Sequence, residues 1–571
     1  MKQPLRGIKI CGWKFFSIIL LFIFCKSLNN LYFCKKKITM KNPFNILIIC
    51  NILVTFLLSC KEETTKVAEL IVEPKNLTLS KGDVVNLVYV VMPYKADNKS
   101  ISFKSKDVSV ATVSDKGVIT AISEGETQIV VTTNEGNVND EVFVRVLRGS
   151  TELDSITLLN LHKKGCIEDS RNWNLTKPMH TWDGVVLSEN RRVLSFGTLI
   201  LQNTLDESLA NLAFLQTLSI DGNTDFYFES YFPEEIWMLS ELHTLSIRSF
   251  YGTIPAEIGN LSNLKNLNIF YSRLIENIPV ELGNLTNLKK ICFNWNYQLG
   301  KIPKEFGKLE ELEELTIMRS YLTGNIPKEL GNLYNLKHLN LNRNQLTGII
   351  PKELGNLPDL EVLDLGSNQL TGTIPSELGN LSNLKSLSFY NNKLTGSIPK
   401  ELGNLQKLEN LVLNDNNLTG EIPLELANLY NLSKIDVYYN SLSGNIPKEL
   451  GNLANLEVLN LSSNKLTGTI PSELGNLSNL KSIYFYRNKL TGSIPKELGN
   501  LQKLENLVLY DNNLTGEIPQ ELGNLHNLSE LTVFYNSLSG IIPEQLLNKF
   551  DILSFCPQNG TYFENLYCIW W

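Results

Sequence analysis

Histidine and cysteine are the side chains best suited to catalysis or metal binding, and this chain holds few of them. Its five histidines, His162, His180, His243, His338 and His526, lie far apart, with no Ser, Cys or carboxylate partner at a telling spacing. Beyond the first fifty-nine residues the cysteines are Cys60, Cys166, Cys292, Cys556 and Cys568, with no CxxC pair among them, so a zinc site is not supported. No HExxH helix, phosphate loop or calcium loop occurs. The many glutamates recur inside "KELGN" and are structural. The sequence therefore offers no catalytic residue, no metal site and no cofactor, and His338 and Cys292 read as ordinary surface residues. What remains is aromatic: Tyr390, Tyr438, Tyr439, Tyr484, Tyr486, Tyr510, Phe534 and Tyr535, with Arg487 among them and Phe270 and Trp295 further upstream. Exposed rings of this kind anchor protein interfaces and can also stack on sugars, which is binding chemistry rather than turnover.

The elements that position these rings come from a repeat of period 24. The dipeptide Ile-Pro ends at Pro255 and returns every 24 residues to Pro543, thirteen copies without a slip. Written out, the unit is L-x-x-L-x-L-x-x-N-x-L-T-G-x-I-P-x-E-L-G-N-L-x-x. Side chains alternate along L-x-x-L-x-L-x, so unit positions 4 and 6 point into a core while 3, 5 and 7 point out from the other face of a short strand. Asn at position 9 (Asn344, Asn368, Asn392, Asn416) is expected inside the turn, bonded to backbone groups that have no ladder partner. Gly then permits the turn, and Pro fixes φ where no N–H is needed. One coil cannot bury enough apolar surface to stand alone, so the coils must stack. Looser copies begin near Phe196, Leu215 and Leu242, which makes about fifteen strands at ~4.8 Å spacing in one parallel sheet.

Part of this wall is a recent copy. The stretch "NKLTGSIPKELGNLQKLENLVLNDNNLTGEIP" (392–423) returns ninety-six residues later with Asn414 replaced by Tyr510. Across Leu354 to Ser443 set beside Leu450 to Ser539, sixteen of ninety positions differ, and eight of those fall at unit positions 3, 5, 7 and 8, which supply only sixteen of the ninety. The outward face of the strands has therefore diverged faster than the rest, as a binding surface would. Tyr486, Tyr510 and Phe534 occupy position 7 of three successive coils and should form a track with a step of ~4.8 Å.

The unit resembles the plant-type leucine-rich repeat, and Trp182, Gly184, Val185, Arg192 and Val193 resemble the cap that precedes such repeats, without the paired cysteines of the plant versions. Trp173 and Trp182 are then the expected plugs of an apolar cap. Upstream, "KDVSVATVSDKGVITAISEGETQIVVTT" lies among short β-branched runs such as "AELIVE", "VVNLVYVVM" and "EVFVRV". It resembles the bacterial Ig-like group 2 domain, which implies a small sandwich, usually a stalk and in some proteins a binding module. The fold class expected is an α/β leucine-rich-repeat solenoid with a curved parallel sheet on its concave face, preceded by an all-β Ig-like sandwich.

The first fifty-nine residues carry nine Lys or Arg and no Asp or Glu, with two apolar runs too short to span a bilayer comfortably. Leu57, Leu58, Ser59 and Cys60 resemble the lipobox of bacterial lipoproteins, which implies cleavage before Cys60 and a diacylglyceryl group on its thiol. An uncleaved signal anchor is the other reading. Met40 onward is already a complete signal peptide, so translation starts there or residues 1–39 form an extension. Lys61, Glu62 and Glu63 resemble the acidic signal that sends lipoproteins of the Bacteroidetes to the outer face of the outer membrane. Without the leader, 43 basic residues face 59 acidic ones, a formal charge of −16, which argues against a nucleic-acid partner.

The expected organisation is leader 1–59, lipidated tether 60–66, Ig-like domain 67–148, cap 149–195, solenoid 196–546 and C-terminal cap 547–571, where Cys556 and Cys568 lie close enough in sequence to pair. Resemblance to other bacterial surface leucine-rich-repeat proteins implies a protein ligand, from a host or a neighbouring cell surface. A glycan held by the same rings is the alternative.

Overall fold

The structure, a computed structural model, describes residues 66–566 apart from 93–95, 97, 148, 150, 165–172, 175, 201–206, 223–231, 233, 552–553 and 562, together with a short antiparallel ladder between Tyr32–Phe33 and Lys36–Lys37. Cys60, Cys166 and Cys568 lie outside the described residues. The chain divides into two compact units, Met1–Gly149 and Ser150–Trp571.

The first unit contains the β-sandwich. Asn76–Ser80, Asn139–Leu147, Gly125–Thr133 and Ile101–Ser105 form one sheet, while Val84–Asn86, Val118–Ala121 and Ala111–Val113 form another. Val72, Leu79, Ala111, Ile119, Ile129, Val131, Val142 and Val144 meet between them, fully or almost fully buried. The run "VVNLVYVVM" is not one strand. It breaks at buried Leu87, whose N–H donates to Gly117, so that Val84–Asn86 pairs with one sheet and Val88–Met92 pairs with Glu69–Glu73.

In the second unit, helix Thr151–Lys163 buries Leu158, Leu159 and Leu161. Trp173 and Trp182 stack with ring centroids 5.4 Å apart and are 4% and 3% exposed, so both do plug the cap. Their indole N–H groups donate to the carbonyls of Asp183 and Lys177. Beneath them lies an ion pair without a local sequence signal: Arg192 donates to Asp154 through Nε (2.8 Å) and Nη2 (2.9 Å), and both side chains are shielded from solvent.

Fifteen parallel strands then follow in chain order, from Leu199–Ile200 to Glu530–Thr532. Each pairs with its neighbour in matching unit positions, as in Asn410↔Lys434 and Leu411↔Ile435. Positions 4 and 6, such as Leu411 and Leu413, are fully buried. Twelve of the thirteen Ile-Pro prolines cap five-residue 3-10 helices, and Pro543 precedes a short α-helix, Glu544–Leu547. At Pro423, for example, φ is −61°, and its carbonyl accepts the Leu426 N–H. Gly420 at position 13 has φ of 78°, the left-handed turn that favours glycine.

Position 9 forms the joint between coils. Asn416 Nδ2 donates to Leu413 and Asn414 in its own coil and to Phe389 in the preceding one, while its Oδ1 accepts the N–H of Leu394 in that preceding coil. The same set recurs from Asn368 to Asn536. After the last repeat, Gln558 takes over the role: Nε2 donates to Val533, and Oε1 accepts the Leu538 N–H. The broken coil "DILSFCPQNG" is therefore a cap that completes the joint with one longer side chain. Cys556 beside it is disulfide-bonded.

Candidate ligand-binding face

The outward side of the sheet is built from positions 3, 5, 7 and 8. Position 7 runs through Asn342, Gly366, Tyr390, Asn414, Tyr438, Ser462, Tyr486, Tyr510 and Phe534 in nine successive coils. Its last three members form the expected track. Tyr486 and Tyr510 stack with centroids 4.7 Å apart and planes inclined by 7°, and Tyr510 and Phe534 do so at 4.5 Å and 12°. Tyr535 meets Phe534 edge to face at 5.2 Å. The spacing is that of adjacent strands, so the rings stand upright on the sheet, covering one another's faces and turning their edges outward. Arg487 and Tyr535 flank the track as exposed neighbours, and Tyr484 at position 5 is half-buried.

The earlier copy of the same coils behaves differently. Tyr390 lies back over Gly366, and its hydroxyl accepts a bond from Asn342 Nδ2 two coils away at 2.9 Å. A Cβ at Gly366 would meet the Tyr390 ring at 2.3 Å, so the missing side chain is its seat. Tyr438 reaches back as well, donating to the Asp415 carboxylate and accepting from Asn414. The bond to Asp415 pushes its hydroxyl up to about 12. Asn414 itself is 7% exposed, buried on a face where the alternation alone makes it a solvent position. Below this group, burial raises the Asp436 carboxyl above the usual carboxylate range despite Lys434 at 3.2 Å, and its Oδ1 has no hydrogen-bond partner. Thus Tyr390 and Tyr438 are tied down by polar bonds, Tyr439 is open at 62% exposed, and Tyr486, Tyr510 and Phe534 form the stack.

Two features escape the period-2 reading. Cys292 is 6% exposed rather than a surface residue: Asn294 Nδ2 lies 3.1 Å from its sulfur, and burial pushes the thiol up to about 11, which leaves it unreactive. Position 8 is left-handed in coil after coil, with φ of 55° at Asp415, 53° at Tyr439 and 55° at Arg487. Few of these residues are the Asn or Gly that would have signalled it. Among the described residues no group of three or more His, Cys, Asp or Glu is placed to hold a metal.

Family models match on both units: "Leucine-rich repeat region" over 192–327, 320–445 and 439–554, and "Bacterial Ig-like domain (group 2)" over 66–144. The chain belongs to the leucine-rich-repeat family and carries a bacterial Ig-like domain ahead of the repeats. Among solved structures it is similar to the plant peptide hormone receptor RGFR1 in complex with RGF2 (33% identity, TM-score 0.62), covering 67% of this chain and 64% of the receptor. It is also similar to a leucine-rich-repeat protein of Leptospira interrogans (34% identity, TM-score 0.54), covering 69% of this chain and 94% of that one. An uncharacterized protein of Clostridium acetobutylicum, CA_C0552, is 40% identical over 67 residues, 12% of this chain and 17% of the relative. The chain thus spans less than two thirds of the receptor's length and a small part of the clostridial protein's. Both domain types are interaction modules, and a binding role is what the two folds share.

Proposed function

We propose that this chain is a non-enzymatic, adhesin-like binding protein whose concave sheet takes a protein ligand on the Tyr486–Tyr510–Phe534 stack. The observation that carries this reading is the stacking itself. A sugar platform needs an open ring face, whereas the inner faces of this stack cover each other at 4.5–4.7 Å, both faces of Tyr510 among them, and the stack offers mainly edges and hydroxyls, which suit the packed, partly polar centre of a protein interface. A plant peptide hormone receptor of similar fold, in complex with RGF2, supports the use of such a solenoid for protein ligands.

The duplicated block supplies the test, because Asn stands at the position of Tyr510 in the earlier copy and the scaffold accepts it. Tyr510→Asn should weaken capture of the partner by residues 61–571 about tenfold or more, as expected for a central aromatic anchor. The thermal midpoint should fall only by the loss of two ring pairs, ~0.5–1.5 kcal/mol each. Unchanged capture, or ligands found only on a glycan array, would sink the proposal.

The same proposal places the chain at the bacterial outer membrane, lipid-anchored through Cys60 and exposed at the surface, with the Ig-like domain as spacer. Its support is the "LLSC" sequence at the end of an apolar run followed by "KEE". Cys60→Ala should move the protein from the membrane to the soluble fraction on cell fractionation; a chain that stays in the membrane pellet would show that Cys60 is not the anchor.

A further inference from the structure

A second aromatic row lies at the other end of the solenoid and follows position 8. In four successive coils Tyr271, Trp295, Arg319 and Arg343 stand side by side at that position, and Arg248, at position 7 of the coil before, reaches toward the first of them. The Arg248 guanidinium is 5.7 Å from the Tyr271 centroid, Tyr271 stacks on Trp295 at 5.9 Å and 24°, and the Arg319 guanidinium sits 3.9 Å from the Trp295 centroid. The left-handed backbone makes this possible. With φ of 51° at Tyr271, 61° at Trp295, 49° at Arg319 and 56° at Arg343, each side chain leaves the end of its strand toward its neighbours instead of joining the alternation. Tyr271 and Trp295 nevertheless remain 55% and 44% exposed.

The electrostatics of this row are mainly positive, with Asp221 beside Arg248 in register on the strand before it. Trp295 is held between Tyr271 and Arg319, so its electron-rich faces are occupied by a ring and a cation, and the edges that face solvent carry the positive end of the quadrupole. Arg248 and Arg343 add exposed guanidinium groups. At positions 3, 5, 7 and 8 of the coils from Tyr271 to Arg343 the one acidic residue is Glu314, already paired with Lys290 at 2.7 Å. On the adjoining flank Arg273 is offset by Glu276. Toward the C-terminus the same four positions reverse sign: Asp415, Asp436, Asp511 and Glu530 outnumber Lys434 and Arg487. The positive row therefore stands out within an acidic chain, and a long polyphosphate running along the sheet would meet repulsion beyond it.

We propose that Arg248, Tyr271, Trp295, Arg319 and Arg343 form a docking site for an extended acidic segment of a partner protein. Its carboxylates accept bonds from the guanidinium forks and lie against the ring edges. Four coil steps of ~4.8 Å match about six extended residues at ~3.3 Å each. An acidic sugar chain suits the charge but finds no open ring face on Trp295 to stack upon. The site shares no residue with the C-terminal stack, so either can fail alone.

The test is fluorescence anisotropy of a labelled oligoglutamate peptide titrated with the full-length chain, beside an oligogalacturonate of matched length. The expected result is peptide binding that weakens as salt rises, loses tenfold or more in the Arg319→Glu/Arg343→Glu variant, and is unchanged in Arg487→Glu and Tyr510→Asn. Thermal melting of the double variant close to the parent's excludes misfolding as the cause. Absence of salt-sensitive peptide binding, an equal loss in Arg487→Glu, or tighter binding of the galacturonate would each overturn the proposal.

Discussion

Replacing Asp154 by alanine should destabilise the N-terminal cap by about 3–5 kcal/mol, the usual cost of leaving one member of a buried ion pair alone. Arg192 is 1% exposed, and its guanidinium also donates to the Asn211 carbonyl at 3.3 Å and lies 4.4 Å from the Phe214 centroid. Asp154 further accepts the Val193 N–H at 3.0 Å, so its removal orphans a backbone donor as well as a charge. Burial raises the Asp154 carboxyl more than Arg192 lowers it, which means the ionised form is held at a cost. Replacing both partners, as Asp154→Leu with Arg192→Met, should therefore recover much of the loss. The measurement is hydrogen exchange coil by coil. In Asp154→Ala the strands Thr217–Asp221 and Thr244–Arg248 should lose protection before those near the C-terminus, because a solenoid frays from an uncapped end. Unaltered protection in those strands would mean that the pair does not hold the cap.

The second large effect belongs to the joint. Asn416→Ala should cost roughly 2–3 kcal/mol, since it orphans the buried Leu394 N–H in a site that is 7% exposed, where a buried unsatisfied group costs about 1–3 kcal/mol, and removes one of two donors from the carbonyls of Phe389, Leu413 and Asn414, which keep Asn392, Asn440 and the Asn391 N–H. The chain contains its own intermediate case. Ser320 holds the same position and donates to Phe293 at 2.8 Å and Met318 at 2.9 Å while accepting the Asn296 N–H, a shorter reach with fewer bonds. Asn416→Ser should accordingly fall between the parent and Asn416→Ala in urea denaturation. A serine variant as damaged as the alanine one would show that cavity formation, not hydrogen bonding, sets the cost.

Much of the fold was legible because a period repeated thirteen times averages out local noise. The buried positions, the turn asparagine and the spacing of the aromatic stack all follow from the unit, while the capping tryptophans followed from the resemblance of the segment ahead of it to a repeat cap. What failed to show lies where geometry departs from the period. Position 8 turns left-handed through residues as unlike as Trp295, Arg319 and Tyr439, because the turn and its neighbours impose that conformation and no glycine advertises it. Cys292 is hidden by an amide two residues along, which alternation alone places on the same open face. Asp154 and Arg192 are 38 residues apart and meet through the packing of a helix on the first coils. The split behaviour of the duplicated tyrosines was half legible: the change from Asn414 to Tyr510 pointed to the stack, but the seat that Gly366 gives Tyr390 needed coordinates.

The position-9 joint also bears on how such a chain changes length. Each asparagine binds its own turn and the turn before it, and Gln558 closes the series at the end. Any whole number of units inserted between two coils therefore arrives with as many complete fasteners as it needs, and no new interface has to be invented. A copy of ninety-six residues is four whole units and leaves every fastener engaged. A copy longer or shorter by one residue would misalign the asparagine with the turn it must clasp. Length is thus nearly neutral for this architecture in steps of one coil and forbidden in between, which leaves the outward face free to be redrawn after each copy.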